Sequence, residues 1–282
     1  MRRADATRLV LLAALWGAAF LFMRIVAPVL GPVIAADSRI FIATAALGIY
    51  FWIVHFDPQW RRWWHEYAIV GSMNTALPFV LFAYAAVSIP AGLSAVLNAT
   101  APMWGALLAA ALLGERLTLV RSMGLLLGVV GVALVTRPEP GANFPPLAIA
   151  AALGGALCYA IAGIYLKHRA HGAPARGMAI GTQLAAGIML APFVFVSPPL
   201  APVTPLVAGC TIAMGVLCGA VAYVLYFRLI VDVGPIRSLT VTYLIPLFGV
   251  LFGAVFLGEI LTLWTLAGAA LVILGTVLVL RK

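Results

Sequence analysis

The sequence predicts an all-α membrane protein, ten transmembrane helices built as two inverted five-helix repeats, on three observations. The chain is too apolar for water, its hydropathy breaks into ten stretches of spanning length, and one of its corners occurs twice. Of 282 residues, 65% are hydrophobic and 9% charged, with a mean hydropathy of +1.14. A soluble domain carries roughly 45–50% apolar and about 25% charged residues, so the excess must face lipid.

A membrane helix needs about 20 mostly apolar residues. The breaks place ten at 8–27, 34–55, 67–87, 91–112, 118–136, 147–166, 175–197, 206–228, 235–257 and 262–280, which leaves no room for a soluble catalytic domain. The basic start and apolar run of the first span resemble a secretory leader, but the run is long and leads straight into a second span, so it reads as a retained helix. It carries Trp16 and Met23. Between the second and third spans, Trp52, Trp60, Trp63 and Trp64 flank Arg61 and Arg62 as an interfacial belt. The third span holds Asn74, Pro78 and Tyr84; the fourth holds Asn98, Pro102 and Trp104. Gly124, Gly128 and Gly131 give the fifth a small face for close helix approach, as Gly268 and Gly275 do in the tenth. The sixth contributes Tyr159, the seventh Gln183 and Pro192, the eighth Tyr223 and Tyr226, and the ninth Thr242, Tyr243 and Pro246. Cys158, Cys210 and Cys218 fall inside spans without metal-ligand spacing and read as small core residues.

Orientation follows from charge. With the N-terminus in the cytoplasm, Arg2, Arg3, Arg8, Arg61, Arg62, Arg116, Arg121, Lys167, Arg169, Arg176, Arg228, Arg237, Arg281 and Lys282 all fall inside. Only Arg24, Arg39 and Arg137 fall at the outer face, so both termini are expected to be cytoplasmic. The net charge of +9 is thus a topology signal, and no nucleic-acid partner is expected.

The corner LLGERLT (Leu112 to Thr118) returns as FLGEILT (Phe256 to Thr262). Residues 102–135 match 246–279 at a constant offset of 144, with 15 identities in 34. An odd number of spans, five, separates the copies, so the halves must cross the membrane in opposite senses. The cytoplasmic corner keeps Arg116 and Arg121 where its outward twin has Ile260 and Thr265. Gly114 and Gly258 suit left-handed helix ends, Thr118 and Thr262 suit the N-caps that follow, and Glu115 and Glu259 at the interface read as solvated corner carboxylates, with a gate or coupling acid as the alternative.

Pro102, Leu113-Gly114-Glu115-Arg116-Leu117-Thr118, Gly124 and Gly131 together resemble the EamA-type repeat of the drug/metabolite transporter superfamily. Trp16-Gly17-Ala18-Ala19-Phe20 is similar to that family's opening motif, and Pro246, Leu257-Gly258-Glu259 and Gly268 through Gly275 match in the second copy. The resemblance covers the whole chain and implies two such repeats, 1–140 and 141–282. It implies a ten-helix exporter of small metabolites, closest in kind to bacterial amino-acid exporters, those for aromatic amino acids included. The second half departs from the family pattern in lacking a tryptophan in its opening helix.

Inverted repeats place a substrate site near the midplane, between the halves. A proline at position i frees the carbonyl of residue i−4, which in lipid needs a partner or a wet cavity. Asn74, Asn98 and Thr242 lie four residues before Pro78, Pro102 and Pro246, so each break carries a polar side chain. Pro192 has Ile188 at that place and is assigned a kink without a site. The expected substrate-binding set is Trp16, Met23, Asn74, Pro78, Tyr84, Asn98, Pro102, Trp104, Tyr159, Tyr223, Thr242 and Tyr243. Such aromatics stack on an apolar or aromatic side chain and leave hydroxyls for orientation.

Every acid (Asp5, Asp37, Asp57, Glu66, Glu115, Glu139, Asp232 and Glu259) is expected at a span end or in a loop. Without a mid-helix acid or histidine, uncoupled export or exchange of a net-neutral solute is the simplest expectation. Arg24 and Arg39 near the outer face could attract a carboxylate, but the expectation is that they anchor at the outer interface with Asp37 as partner. No nucleophile-and-base or metal constellation and no Walker loop appears, which argues against an intramembrane enzyme and against direct ATP drive. No cofactor or metal is called for. The expected partners are the lipid bilayer of a bacterial inner membrane and a small-molecule substrate, with a monomer the plausible state. Efflux of amphipathic drugs is the competing transport reading, and a structural membrane protein the competing class.

Overall fold

The computed structural model describes residues 3–137, 144–169, 172–234, 238 and 240–280. Arg2, Glu139, Arg237, Arg281 and Lys282, the 140/141 boundary and part of the start of the ninth span lie outside these. Among the described residues the transmembrane helices are α1 (Arg3–Leu30), α2 (Pro32–Ile53), α3 (Trp60–Ser88), α4 (Ala91–Leu113), α5 (Leu119–Val135), α6 (Pro146–His168), α7 (Ala175–Val194), α8 (Pro205–Val233), α9 (Val241–Leu257) and α10 (Leu263–Leu280). Eight are long and apolar enough to cross a bilayer; α5 and α9 are shorter apolar helices that complete the ten. Helices are the form lipid permits, because every backbone donor finds its acceptor within the segment. Large apolar side chains such as Trp52 (79% exposed) and Leu119 (78%) point outward, as a lipid-facing surface requires.

The duplicated corners fold alike. Gly114 and Gly258 both adopt φ 66°, and the next amides, Glu115 and Glu259, bond back to the carbonyls of Ala109 and Gly253 at 3.3 and 3.1 Å. Each bond closes seven residues around the left-handed glycine, one more than a Schellman end, and a Cβ at that glycine would strain it. Thr118 then accepts the amide of Arg121, and Thr262 that of Thr265, starting α5 and α10.

α5 and α10 cross at their glycines. A Cβ on Gly124 would come within 2.7 Å of the Gly275 carbonyl oxygen, and one on Gly131 within 2.8 Å of that of Gly268. The earlier residue of each helix thus meets the later residue of the other, so the equivalent helices run antiparallel, as an inverted repeat demands. The same interleaving recurs through the core: α1 packs on α9 as α6 packs on α4, with Gly17 pressed against Phe248 and Gly249.

The three proline breaks are solved differently. In α3 a π-helical stretch, Ser72–Ala76, precedes Pro78, so the helix takes up the proline by a local change of winding without interruption. α8 carries its own π-helical stretch at Met214–Val221, the corresponding place of the second repeat. α4 stops at Asn98 and restarts at Ala101, with Pro102 in the new first turn. At this break Thr276 of α10 donates to the carbonyl of Ala99 (2.8 Å) and Thr100 to that of Leu97 (2.6 Å). Pro246, by contrast, lies within continuous α9.

α2 corrects one expectation. It starts at Pro32, a residue suited to a first turn, so Asp37 lies inside the helix, 6% exposed, with Oδ1 lacking a hydrogen-bond partner. One acid is therefore buried within a span.

Candidate functional site

The two repeats enclose a cavity of about 800 Å³. Of the twelve residues expected from sequence, it is lined by Trp16, Met23, Asn74, Asn98, Pro102, Tyr159, Tyr223 and Thr242. Pro78, Tyr84, Trp104 and Tyr243 are not on its wall. The reason is helical phase. α3 presents Val70, Asn74, Phe79 and Phe82 to the cavity, and Tyr84, two residues beyond Phe82, is turned about 200° away and is 41% exposed on the outside. α4 presents Asn98, Pro102, Gly105, Ala106 and Ala109, a three-and-four spacing that excludes Trp104, whose buried Nε1 has no hydrogen-bond partner. Tyr243 stands about 100° round α9 from Thr242, and Pro78 is buried in α3 beside Phe79.

The apolar wall is continuous and aromatic. Trp16 of α1 packs on Tyr226 and Tyr223 of α8, centroids 5.3 and 6.3 Å apart. Phe20 meets Phe82 edge-on at 5.6 Å, and Phe82 stacks on Tyr159 of α6 at 6.0 Å. Offset and edge-on arrangements of this kind add to the packing beyond their buried area. The amides of Asn74 and Asn98 reach this wall, and neither makes a hydrogen bond to a described protein group, which leaves both available to a solute.

Arg39 is the residue that sequence reasoning misplaced. It was expected at the outer interface beside Asp37, yet it lies two turns into α2, is 8% exposed and lines the cavity. Its guanidinium sits 3.9 Å over the ring of Phe79, and among the described residues it makes no ion pair or hydrogen bond. The signal that would have found it is Gly31-Pro32, which starts α2 early enough to carry Arg39 inward. Gln183 of α7 is also buried, with neither side-chain polar atom bonded, and lies off the cavity wall.

The two ends of the cavity differ. At one, Glu115 pairs with Arg121 (3.6 Å) and Lys167 (3.4 Å), and all three belong to the lining, so the cavity reaches this face. At the other, the α3–α4 corner is clamped from both sides. Arg24 of α1 donates to the last carbonyls of α3, Ala86 and Val87, each at 2.7 Å, instead of pairing with Asp37. Glu259 accepts the first amides of α4, Ala91 at 2.6 Å and Gly92 at 3.0 Å. Cation at a helix C-terminus and carboxylate at a helix N-terminus both match the helix dipole. Gly253 makes the second contact possible, since a Cβ there would lie 2.2 Å from Glu259 Oε2. Glu259 is therefore a bonded plug at the α3–α4 corner, where a solvated carboxylate was expected.

Known proteins agree with this architecture. The chain resembles a solved crystal structure with a TM-score of 0.67 at 18% identity, over 99% of this chain and 97% of that one, a likeness of fold. It is 28% identical to a "Probable terminal-alkyne amino-acid exporter" of Streptantibioticus cattleyicolor, covering 97% of this chain and 92% of that protein. It is 25% identical to the uncharacterized transporter YvbV of Bacillus subtilis over 79% of this chain and 73% of that one, and 25% identical to an uncharacterized transporter of Archaeoglobus fulgidus over 97% and 98%. The model of the EamA-like transporter family matches twice, at residues 7–137 and 146–281. With ten apolar helices, an antiparallel seam between equivalent helices and two family repeats in sequence, the chain belongs to the EamA-like transporter family.

Proposed function

We propose that the protein is a secondary carrier that exports small metabolites across a bacterial inner membrane by alternating access, without catalysing a reaction. Neutral amino acids, aromatic ones among them, are the foremost cargo. The observation that carries this reading is one cavity, walled by both repeats, that reaches the Glu115 face, while at the Glu259 face the α3–α4 corner is held by Glu259 and Arg24. Inverted repeats exchange access from one side to the other by rocking one bundle on its partner. Charge sorting makes the Glu115 face cytoplasmic, along with both termini, so the cavity faces the compartment from which cargo is taken. Aromatic rings and two free amides suit a small amphipathic solute, and the amino-acid exporter among the relatives supports that cargo.

Among the described residues the cavity wall holds one carboxylate, Glu115 at the mouth, and Asp37 lies off it. This favours downhill export or exchange of a net-neutral solute, since proton-driven carriers keep an acid on the substrate path. Counterflow of labelled amino acids in proteoliposomes tests the whole reading, with an imposed proton gradient as a second arm. Exchange without a gradient is expected, and Asn98→Ala should lower it about fivefold, the scale of one lost hydrogen bond. No exchange of any amino acid, or flux only with the gradient, would contradict the corresponding half of the reading. A cavity of about 800 Å³ is larger than an amino acid needs, which favours efflux of amphipathic drugs as a second reading. Drugs that fail to compete with amino-acid counterflow would remove it.

A further inference from the structure

We infer that Arg39 is the carboxylate-recognition residue of the central cavity, so that a solute must present a free carboxylate on an otherwise apolar body to be carried. This rests on the carrier reading above and specifies its cargo.

A cation deep in a membrane protein is costly unless paired or used. Arg39 is 8% exposed, and among the described residues it has neither ion pair nor hydrogen bond, its Nε being buried without any partner. The other cations on the wall, Arg121 and Lys167, lie at the mouth and are both satisfied by Glu115. Among the described residues no carboxylate pairs with Arg39, so the deep part of the cavity carries a positive charge without an ion-pair partner. The missing anion is supplied by the solute.

The geometry suits a planar oxyanion. The guanidinium carbon of Arg39 lies 3.9 Å from the centre of the Phe79 ring, a cation–π contact that holds it against one wall of the cavity. The N–H donors lie in the guanidinium plane, at its edge, where a carboxylate is held by two parallel hydrogen bonds. Trp16, Phe82 and Tyr159 receive an apolar body, while the amides of Asn74 and Asn98 offer acceptors to an ammonium group. A cationic amphiphile meets the charge of Arg39 as repulsion, which sets the site against basic drugs.

The test uses the full-length protein in proteoliposomes loaded with labelled phenylalanine, with phenylalanine, its carboxamide and phenethylamine as competitors. Wild type should prefer the acid over both analogues by roughly tenfold or more, the discrimination of a charged hydrogen bond. Arg39→Gln should bring acid and carboxamide within about twofold of each other, and Arg39→Lys, which keeps the charge without the fork, should retain part of the preference. Equal competition by all three compounds in wild type would overturn the inference whatever the variants do, so it stays falsifiable if Arg39→Gln does not fold. A well-folded Arg39→Gln that keeps the full preference would overturn it too. If phenylalanine and a wider set of amino acids are not exchanged at all, the export reading itself fails and this inference with it; exchange without preference for the acid removes only the role of Arg39.

Discussion

At the scale of single residues, the most informative group is the Glu259 carboxylate. It holds two amides at the start of α4, and Arg24 holds two carbonyls at the end of α3, so four otherwise unpaired backbone groups of one corner depend on two side chains. Glu259→Gln removes the charge from the contact, at a cost of about 1.5–3 kcal/mol on the scale of charged hydrogen bonds, which moves a two-state equilibrium roughly tenfold or more toward opening at that face. In a background with Cys158, Cys210 and Cys218 replaced, Met23→Cys on the cavity wall should then react about ten times faster with an impermeant thiol reagent added from the Glu259 side. Gly253→Ala should act in the same direction, because its methyl would occupy the place of Oε2. Unchanged labelling in both variants would show that the corner is held by packing alone. The twin residue Glu115 has Ala109 where Glu259 has Gly253, and it pairs with side chains instead of a helix end.

At the scale of elements, the glycine seam of α5 and α10 separates two kinds of close contact. A Cβ at Gly124 would press on the backbone carbonyl of Gly275, whereas one at Gly128 would meet only the thioether of Met103, 2.1 Å from Sδ. A methionine side chain can move aside and a helix backbone cannot without opening the seam. Gly124→Ala should therefore destabilise the protein more than Gly128→Ala, by about 1–2 kcal/mol, read in detergent as the lower melting temperature of the two. Gly128→Leu exceeds what Met103 can yield and should reduce the yield of folded protein before it alters selectivity. Equal melting of the two alanine variants would mean that the seam relaxes freely at both places. The π-helical stretches of α3 and α8 act on a different property: each changes the phase of its helix, and in α3 the following Phe79 and Phe82 face the cavity.

At the scale of the whole molecule, the inverted repeat fixes which faces oppose one another. The Glu115 and Glu259 corners must lie on opposite sides of the membrane, so single cysteines at Arg116 and Ile260 should label from opposite sides in intact cells and inverted vesicles. Labelling of both from one side would refute the inversion. The orientation itself has its own readout: a reporter fused after Lys282 is expected in the cytoplasm, as charge sorting demands.

Much of this molecule is a one-dimensional property of its chain. The number of helices, the inverted duplication, the caps at Gly114, Thr118, Gly258 and Thr262 and eight of the cavity residues follow from hydropathy, periodicity and local backbone chemistry, which act within a few turns of helix. What pairing across space decides is absent from that list. Tyr84 and Trp104 were off the wall because rotation about a helix axis is set by neighbours and by breaks such as Ser72–Ala76, which no local pattern announces. Arg39 and Glu259 changed meaning for the same reason. A charge near a span end has the same sequence signature whether it meets headgroups, a cavity or the end of a helix folded against it, and only the assembled bundle brings Phe79 to the first and the amides of Ala91 and Gly92 to the second.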